Sequence, residues 1–341
     1  MHNFRMACSQ VFAAIAFASV VIAPVHAQAP AAAPQFTMKV GMATMNDIQH
    51  FWGTSFKEAI EVRSKGRIEV KVFPRGQLGT IASQIEGLQL GTIEAFVTPT
   101  DFFSGVDPRF GVFSIPLLFK DAQQAEKVML DPALNKEILA MGADKGIQIG
   151  SIFTFGFSHY FGKQPIRKID DFKGKKLRVN ATAAERVKMR QLGASAVPMD
   201  LAEVIPGLQQ GVIDGTMSVT PVYVNLKFNE ISKTLTQVND TMIVSVAAIS
   251  RAWLNKLPAD LREMVLDEAA KMQPRMLAQS RTLDEAMRKR WIEAGGEFVS
   301  LPPADVARLG QLLGGVGEEA TKDNAAVNAF YKRMRAVAEK S

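Results

Sequence analysis

Few residues of this 341-residue chain could act as acid, base or nucleophile at neutral pH, and that scarcity narrows the chemistry open to it. The histidines are His2, His26, His50 and His159, and the only cysteine is Cys8. With the N-terminal segment set aside, a multi-histidine or cysteine-based zinc site lacks ligands. A serine triad would have to recruit His50 or His159, and no Gly-X-Ser-X-Gly stretch is present. The run GGVG at Gly314–Gly317 follows a helical pattern and lacks the lysine and hydroxyl that end a phosphate loop, which argues against nucleotide binding. Asp170 and Asp171 read as a turn or helix N-terminus, because adjacent residues on regular structure do not face each other. No catalytic residue, metal or cofactor is therefore assigned.

The stretch GKKLRV, Gly174 to Val179, carries the residue with the clearest recognition chemistry. Leu177 and Val179 alternate to an apolar side, so Arg178 leaves the strand on the other face and is followed at once by the polar Asn180. In α/β sheets ligands gather at the carboxyl ends of strands. An arginine there offers a planar fork that matches a carboxylate with two parallel hydrogen bonds. On the residues alone, a surface salt bridge and a carboxylate clamp both remain open.

The elements that must position this residue read as α/β. FTMKVGMAT alternates like a strand, SFKEAIEVRSKG like an amphipathic helix ending at Gly66, and RIEVKVFP like a second strand. This β-α-β opening predicts parallel pairing. Two distant segments resemble each other, LQLGTIEAF (Leu88–Phe96) and LQQGVIDGT (Leu208–Thr216), each with a glycine at a helix stop before a strand. They support two similarly built lobes. SIFTFGFSHYFG reads as an apolar strand broken by Gly156, where the chain crosses to the second lobe, and VNDTMIVSVAAIS as the strand by which it returns. Residues 258–294 form a helical pattern that would reach about 55 Å if continuous, with Pro274 inside it as a kink or a junction of two helices.

Near the start of the sequence Arg5 precedes the 13-residue apolar run Val11–Ala23 and the small-residue site VHA before Gln28, the pattern of a cleaved secretory signal over residues 1–27. That run is shorter than the roughly 20 residues of a membrane span. An Ala/Pro/Gln-rich flexible leader, 28–35, follows. Loss of Arg5 takes the formal charge from +6 to +5, a basic excess too diffuse for a nucleic-acid stripe. The cations of the loop KQPIRKIDDFKGKK read as a solvated face or as a docking patch for a partner.

The succession FPRGQLGT, LQLGTIEAF, FSIPLLFKD, DFKGKKLRV and EVIPGLQQGVIDG, in order and spanning nearly all the chain after the signal, resembles the substrate-binding proteins of TRAP transporters, the tripartite ATP-independent periplasmic systems. The resemblance implies a two-lobed periplasmic binding protein with a hinge and a long helix spanning both lobes. It implies an organic-acid ligand delivered to membrane permease subunits. The arginine of the family's GxKxR-type strand is its usual carboxylate clamp, and Arg178 matches it. The implied lobes are 36–155 plus 245–283 and 156–244 plus 284–341, with hinges near Phe155 and Ser245.

Two departures qualify that expectation. Where many relatives carry a second arginine after Gly-aromatic, this chain has Ser158, with His159 beside it; where many carry an asparagine after Asp-Gly, it has Ser218. One fixed cation fewer argues for a monocarboxylate with an aromatic or apolar body, a C4-dicarboxylate or 2-oxo acid being the alternative. The expected ligand-binding residues are Arg178, Ser158, His159, Asn180, Ser218, Tyr223, Phe51, Trp52 and Phe102, with His159 adding a contact that titrates near pH ~6.5. The rival readings are a sensory binding protein and an enzyme on a small acid, for which His50 or His159 would be the base.

Overall fold

The structure, a computed structural model, describes residues 33–180 and 182–341; the expected signal and residues 28–32 of the leader lie outside them. Nine strands among the described residues form one mixed sheet: β1 (Phe36–Met42), β2 (Ile68–Phe73), β3 (Ala95–Pro99), β4 (Ile147–Gly162), β5 (Lys176–Val179), β6 (Ser195–Pro198), β7 (Gly215–Ser218), β8 (Thr234–Ser250) and β9 (Glu297–Ser300). Their order is β2-β1-β3-β8-β4-β7-β5-β6, with β9 pairing β8.

Two parallel three-strand groups, β2-β1-β3 and β6-β5-β7, flank the long antiparallel pair β4 and β8. β1 pairs parallel to β2, as the β-α-β opening predicts. The two similar segments occupy equivalent places. Helix Ile81–Leu90 ends at Gly91 with φ 77° and leads to β3; helix Val204–Gln210 ends at Gly211 with φ 74° and leads to β7. In this left-handed conformation a side chain is disfavoured, which is why glycine stops both helices. The correspondence extends to side chains: Glu94 accepts the backbone N–H of Lys39 at 2.7 Å, and Asp214 that of Lys176 at 2.8 Å. Each acid ties the start of an outer strand to the central strand of its group.

β4 is not broken at Gly156. It runs through, and its pairing with β8 slips instead at three irregularities, between Ile149 and Ser151, Thr154 and Gly156, and Phe157 and His159. Gly156 has φ 147°, open to glycine alone without strain. Such bulges bend a strand and re-aim its side chains.

The expected long helix is single and continuous, Ala259–Glu293, 35 residues with Pro274 inside it. Its packing offsets the ~3 kcal/mol that an interior proline costs. Arg63 of helix Ile48–Arg63 pairs with Asp267 and Glu268 near its start. Gln273 accepts the Ile152 N–H at 3.3 Å, and Ser280 bonds Thr154 at 3.0 Å. Near its end Arg288 lies over the ring of Phe298 in β9, 4.1 Å from its centroid. The basic loop is tied both within itself and to the C-terminal part of the chain: Asp170 pairs with Lys173 and Arg308, Arg167 pairs with Glu297, and Asp171 accepts the backbone N–H groups of Arg167 and Lys168, the turn role expected of the acidic pair.

Candidate ligand cavity

The carboxyl ends of β1, β3, β5 and β7 meet at one cavity. From the first strand group and its helices come Thr44, Gln49, Ile81, Thr98 and Phe102; from the other side come Phe155, Arg178, Asn180, Leu201, Ser218 and Val222. Within each group the strands are parallel and their loops leave at one end, and the three successive antiparallel pairings β3–β8, β8–β4 and β4–β7 turn one group against the other, so the two sets of carboxyl ends face each other.

Arg178 is 3% exposed and is held by two groups that do not neutralise it. Its Nε–H donates to the Met199 carbonyl at 3.0 Å, and its guanidinium carbon lies 5.9 Å from the centroid of the Phe102 ring. Its Nη2 is buried without a hydrogen-bond partner. Burial lowers its pKa, opposed by the charges of Glu185, Asp200 and Asp101, and the guanidinium stays protonated. A buried cation with an unused donor is costly to leave unpaired, so an entering anion would gain what the protein withholds. Thr98 Oγ1 is a second buried, unpartnered polar atom on the wall.

Next to Arg178 a polar network crosses the cavity. Asn180 Nδ2 donates to Asp101 Oδ2 at 2.8 Å. Glu185 accepts from the backbone of Asn180 and Thr182 and from the Thr182 hydroxyl, fixing the turn between β5 and helix Ala183–Gln191. Burial, and then the Glu185 carboxylate, push Asp101 up to about 7. Elsewhere on the wall Thr44 donates to Gln49 Oε1 at 3.2 Å and Gln49 to Ser245 at 3.1 Å, so much of the lining polarity is already used internally.

Four of the nine expected site residues, Arg178, Asn180, Ser218 and Phe102, line this cavity; the other five sit elsewhere. Trp52 is core: it stacks on Phe56 with centroids 4.4 Å apart and donates to Ser151 at 2.8 Å. Phe51 packs under Arg275. Tyr223 is buried between Phe161 and Phe228, its hydroxyl donating to the carbonyls of His159 and Thr216. Ser158 donates to Asp240, which is paired with Lys188 at 3.2 Å, both side chains fully buried, and also accepts from Tyr160 at 2.9 Å. His159 lies edge-on to Phe298 with Arg288 Nη1 3.4 Å from its Nε2. Burial and then Arg288 press its pKa down to about 3, so the expected titration near neutrality is moved out of range.

Sequence reading missed Gln49, Thr98, Asp101 and Leu201. Polar or aliphatic residues at strand ends are too common to single out, though Thr98 and Asp101 follow the first LQLG segment as Ser218 follows the second. Neither His50 nor His159 lines the cavity, which deprives the enzyme reading of its base.

The chain matches the family described as bacterial extracellular solute-binding protein, family 7, of DctP type, over residues 40–323. It is 30% identical over 235 residues to the C4-dicarboxylate-binding periplasmic protein DctP of Rhodobacter capsulatus, covering 68% of this chain and 70% of that one. It is 26% identical over 248 residues to the 2,3-diketo-L-gulonate-binding periplasmic protein YiaO of Escherichia coli, covering 71% and 75%. Among solved structures, a TRAP periplasmic solute-binding protein from Haemophilus influenzae with bound L-gulonate superposes with a TM-score of 0.83 at 25% identity, covering 89% of this chain and 99% of that one. These proteins bind solutes and are not enzymes. With the family matched from β1 to beyond the long helix and a two-lobed fold shared with its solved relatives, the chain belongs to the DctP-type family 7 of bacterial extracellular solute-binding proteins.

Proposed function

We propose that the protein captures an organic acid at Arg178 in the periplasm and delivers it to the membrane subunits of a TRAP-type secondary transporter. The observation that carries this reading is the buried, unpartnered Nη2 of Arg178 on the wall of the cavity. The relatives named above bind L-gulonate, 2,3-diketo-L-gulonate and C4-dicarboxylates, all of them organic acids.

The ligand is a monocarboxylate with an aromatic or apolar body. Among the described residues, Arg178 is the only cation lining the cavity, and Ile81, Phe102, Phe155, Leu201, Val222 and Ile243 supply an apolar wall. A dicarboxylate would bring a second charge without a buried cation to meet it, at a large desolvation cost. A hydroxylated acid is favoured by one observation, the unpartnered Thr98 hydroxyl.

Closure proceeds by rotation of 36–155 plus 245–283 against 156–244 plus 284–341. The slip in β4 between Thr154 and Gly156, opposite Val244 and Ile243, supports a hinge at Phe155 and Ser245. A thermal-unfolding screen of ligand-stripped protein against aromatic, aliphatic mono-, di-, 2-oxo and sugar acids tests the reading. Ligand at 100 times its Kd adds about 2.7 kcal/mol. A shift confined to apolar monocarboxylates supports the finer reading, a shift confined to sugar acids replaces it, and no shift with any carboxylate removes the clamp.

A further inference from the structure

Three consecutive residues after β6 serve three purposes. The carbonyl of Met199 accepts the Nε–H of Arg178 at 3.0 Å, and Leu201 lines the cavity. Asp200, between them, reaches the opposite side of the cleft: its Oδ2 accepts the backbone N–H of Ile81 at 2.9 Å. Ile81 is the first residue of helix Ile81–Leu90 and, like Leu201, lines the cavity. The helix's own cap, Thr80, serves the N–H of Ser83, so the N–H of Ile81 is one of the end donors a helix cannot satisfy itself. Asp200 is held for this task by its own turn: Oδ1 accepts the Ala202 N–H at 3.0 Å, and Glu203 accepts the Asp200 N–H at 3.2 Å.

We propose that Asp200 is a positioning residue that couples carboxylate capture at Arg178 to closure of the cleft. The proposal rests on the organic-acid reading above. Met199 fixes the fork of Arg178, and the next side chain latches the helix across the cleft, so the segment cannot shift without disturbing both. The latch pairs a carboxylate with a helix N-terminus, where the macrodipole favours negative charge. Other bonds join the two sides, among them Asn180 to Asp101, Asn225 Nδ2 to the Met45 carbonyl at 2.6 Å and Ser114 to Thr182 at 3.0 Å, but none of these residues adjoins Met199, whose carbonyl orients Arg178.

The latch can be broken from either side. D200A removes the acceptor. I81P removes the donor while leaving the segment 199–203 intact; proline suits a first helical position, and Thr80, with ψ 162°, already has the extended backbone that precedes proline. Spin labels at E86C and Q209C, on helices of the two strand groups, report the separation in ligand-free protein and during titration with benzoate.

D200A and I81P are each expected to lengthen the ligand-free distance or to raise the benzoate concentration needed for the short one by about 10- to 100-fold, the range for a charge-assisted hydrogen bond. The double variant is expected to do no more than either alone, since both remove the same bond. Unchanged distances and unchanged titrations in both single variants would overturn the latch, as would effects that simply add. If benzoate leaves the wild-type distance unaltered, the organic-acid reading loses support, while the ligand-free distances of the variants still decide the latch.

Discussion

Asn180 Nδ2 donates a 2.8 Å hydrogen bond to Asp101 Oδ2, joining the end of the strand that carries Arg178 to the turn that carries Phe102. Asp101 is buried, and burial with the nearby Glu185 carboxylate pushes it up to about 7. A ligand carboxylate seated on Arg178 adds another negative charge close by and favours the protonated form further. Binding therefore takes up a proton, and affinity for an acid anion is expected to fall as pH rises through about 7, by up to tenfold per unit. Calorimetry in two buffers of different ionisation enthalpy measures that uptake directly. D101N is expected to abolish it; an equal uptake in D101N would remove Asp101 from the linkage.

Arg178→Ala is expected to weaken acid binding by about 30-fold to several thousand-fold, corresponding to roughly 2–5 kcal/mol. Arg178→Lys is expected to restore little, because an ammonium cannot reproduce the planar fork held between Met199 and Phe102. The ligand-free protein should respond differently. Arg178→Met removes a buried charge that lacks a full set of partners, so thermal unfolding without ligand is expected at the wild-type temperature or above. Binding lost without loss of stability would separate a recognition role from a structural one.

The Lys188–Asp240 pair is the structural counterpart. Both side chains are fully buried, 3.2 Å apart, and satisfied further by Thr241, Tyr160 and Ser158. Removing one partner strands the other charge, at about 3–5 kcal/mol. Lys188→Met and Asp240→Asn are each expected to lower denaturant stability by that order. The double variant is expected to lose less than the sum of the two. Strict additivity in the cycle would mean the two groups do not act as a pair.

The fold was legible where periodicity and glycine punctuation carry it: the β-α-β opening, the paired helix stops at Gly91 and Gly211, and the helix around Pro274. Arg178 and Asn180 were legible at the polar end of their strand, and Ser218 through the motif of the resembling family. Ser158 and His159 were not. Facing along a strand is read by counting in twos, and β4 slips against its partner three times before His159. Nor does any local pattern distinguish a core aromatic such as Trp52 or Tyr223 from a cavity aromatic such as Phe102, since that depends on contacts distant in sequence, Ser151 for Trp52 at a separation of 99 residues and His159 for Tyr223 at 64. The contact of Asp200 with Ile81 spans 119 residues and has no local signal either.

His159 should leave its mark on stability rather than on binding. Burial and Arg288 hold its pKa at about 3, whereas in the unfolded chain an imidazole titrates near 6.5. Between those values the unfolded state binds the extra proton, so this contribution to stability is complete above pH ~6.5 and is lost as pH falls towards 3. Asp101, raised in the native state, acts in the opposite sense between roughly pH 4 and 7, so the wild-type profile alone would mask both. The comparison with His159→Gln isolates the histidine. Relative to wild type, the variant is expected to gain about 2 kcal/mol on going from pH 7 to pH 5, read from urea unfolding at each pH. An unchanged difference between the two proteins at those pH values would place the imidazole in a site that solvent reaches and would reopen its titration near neutrality.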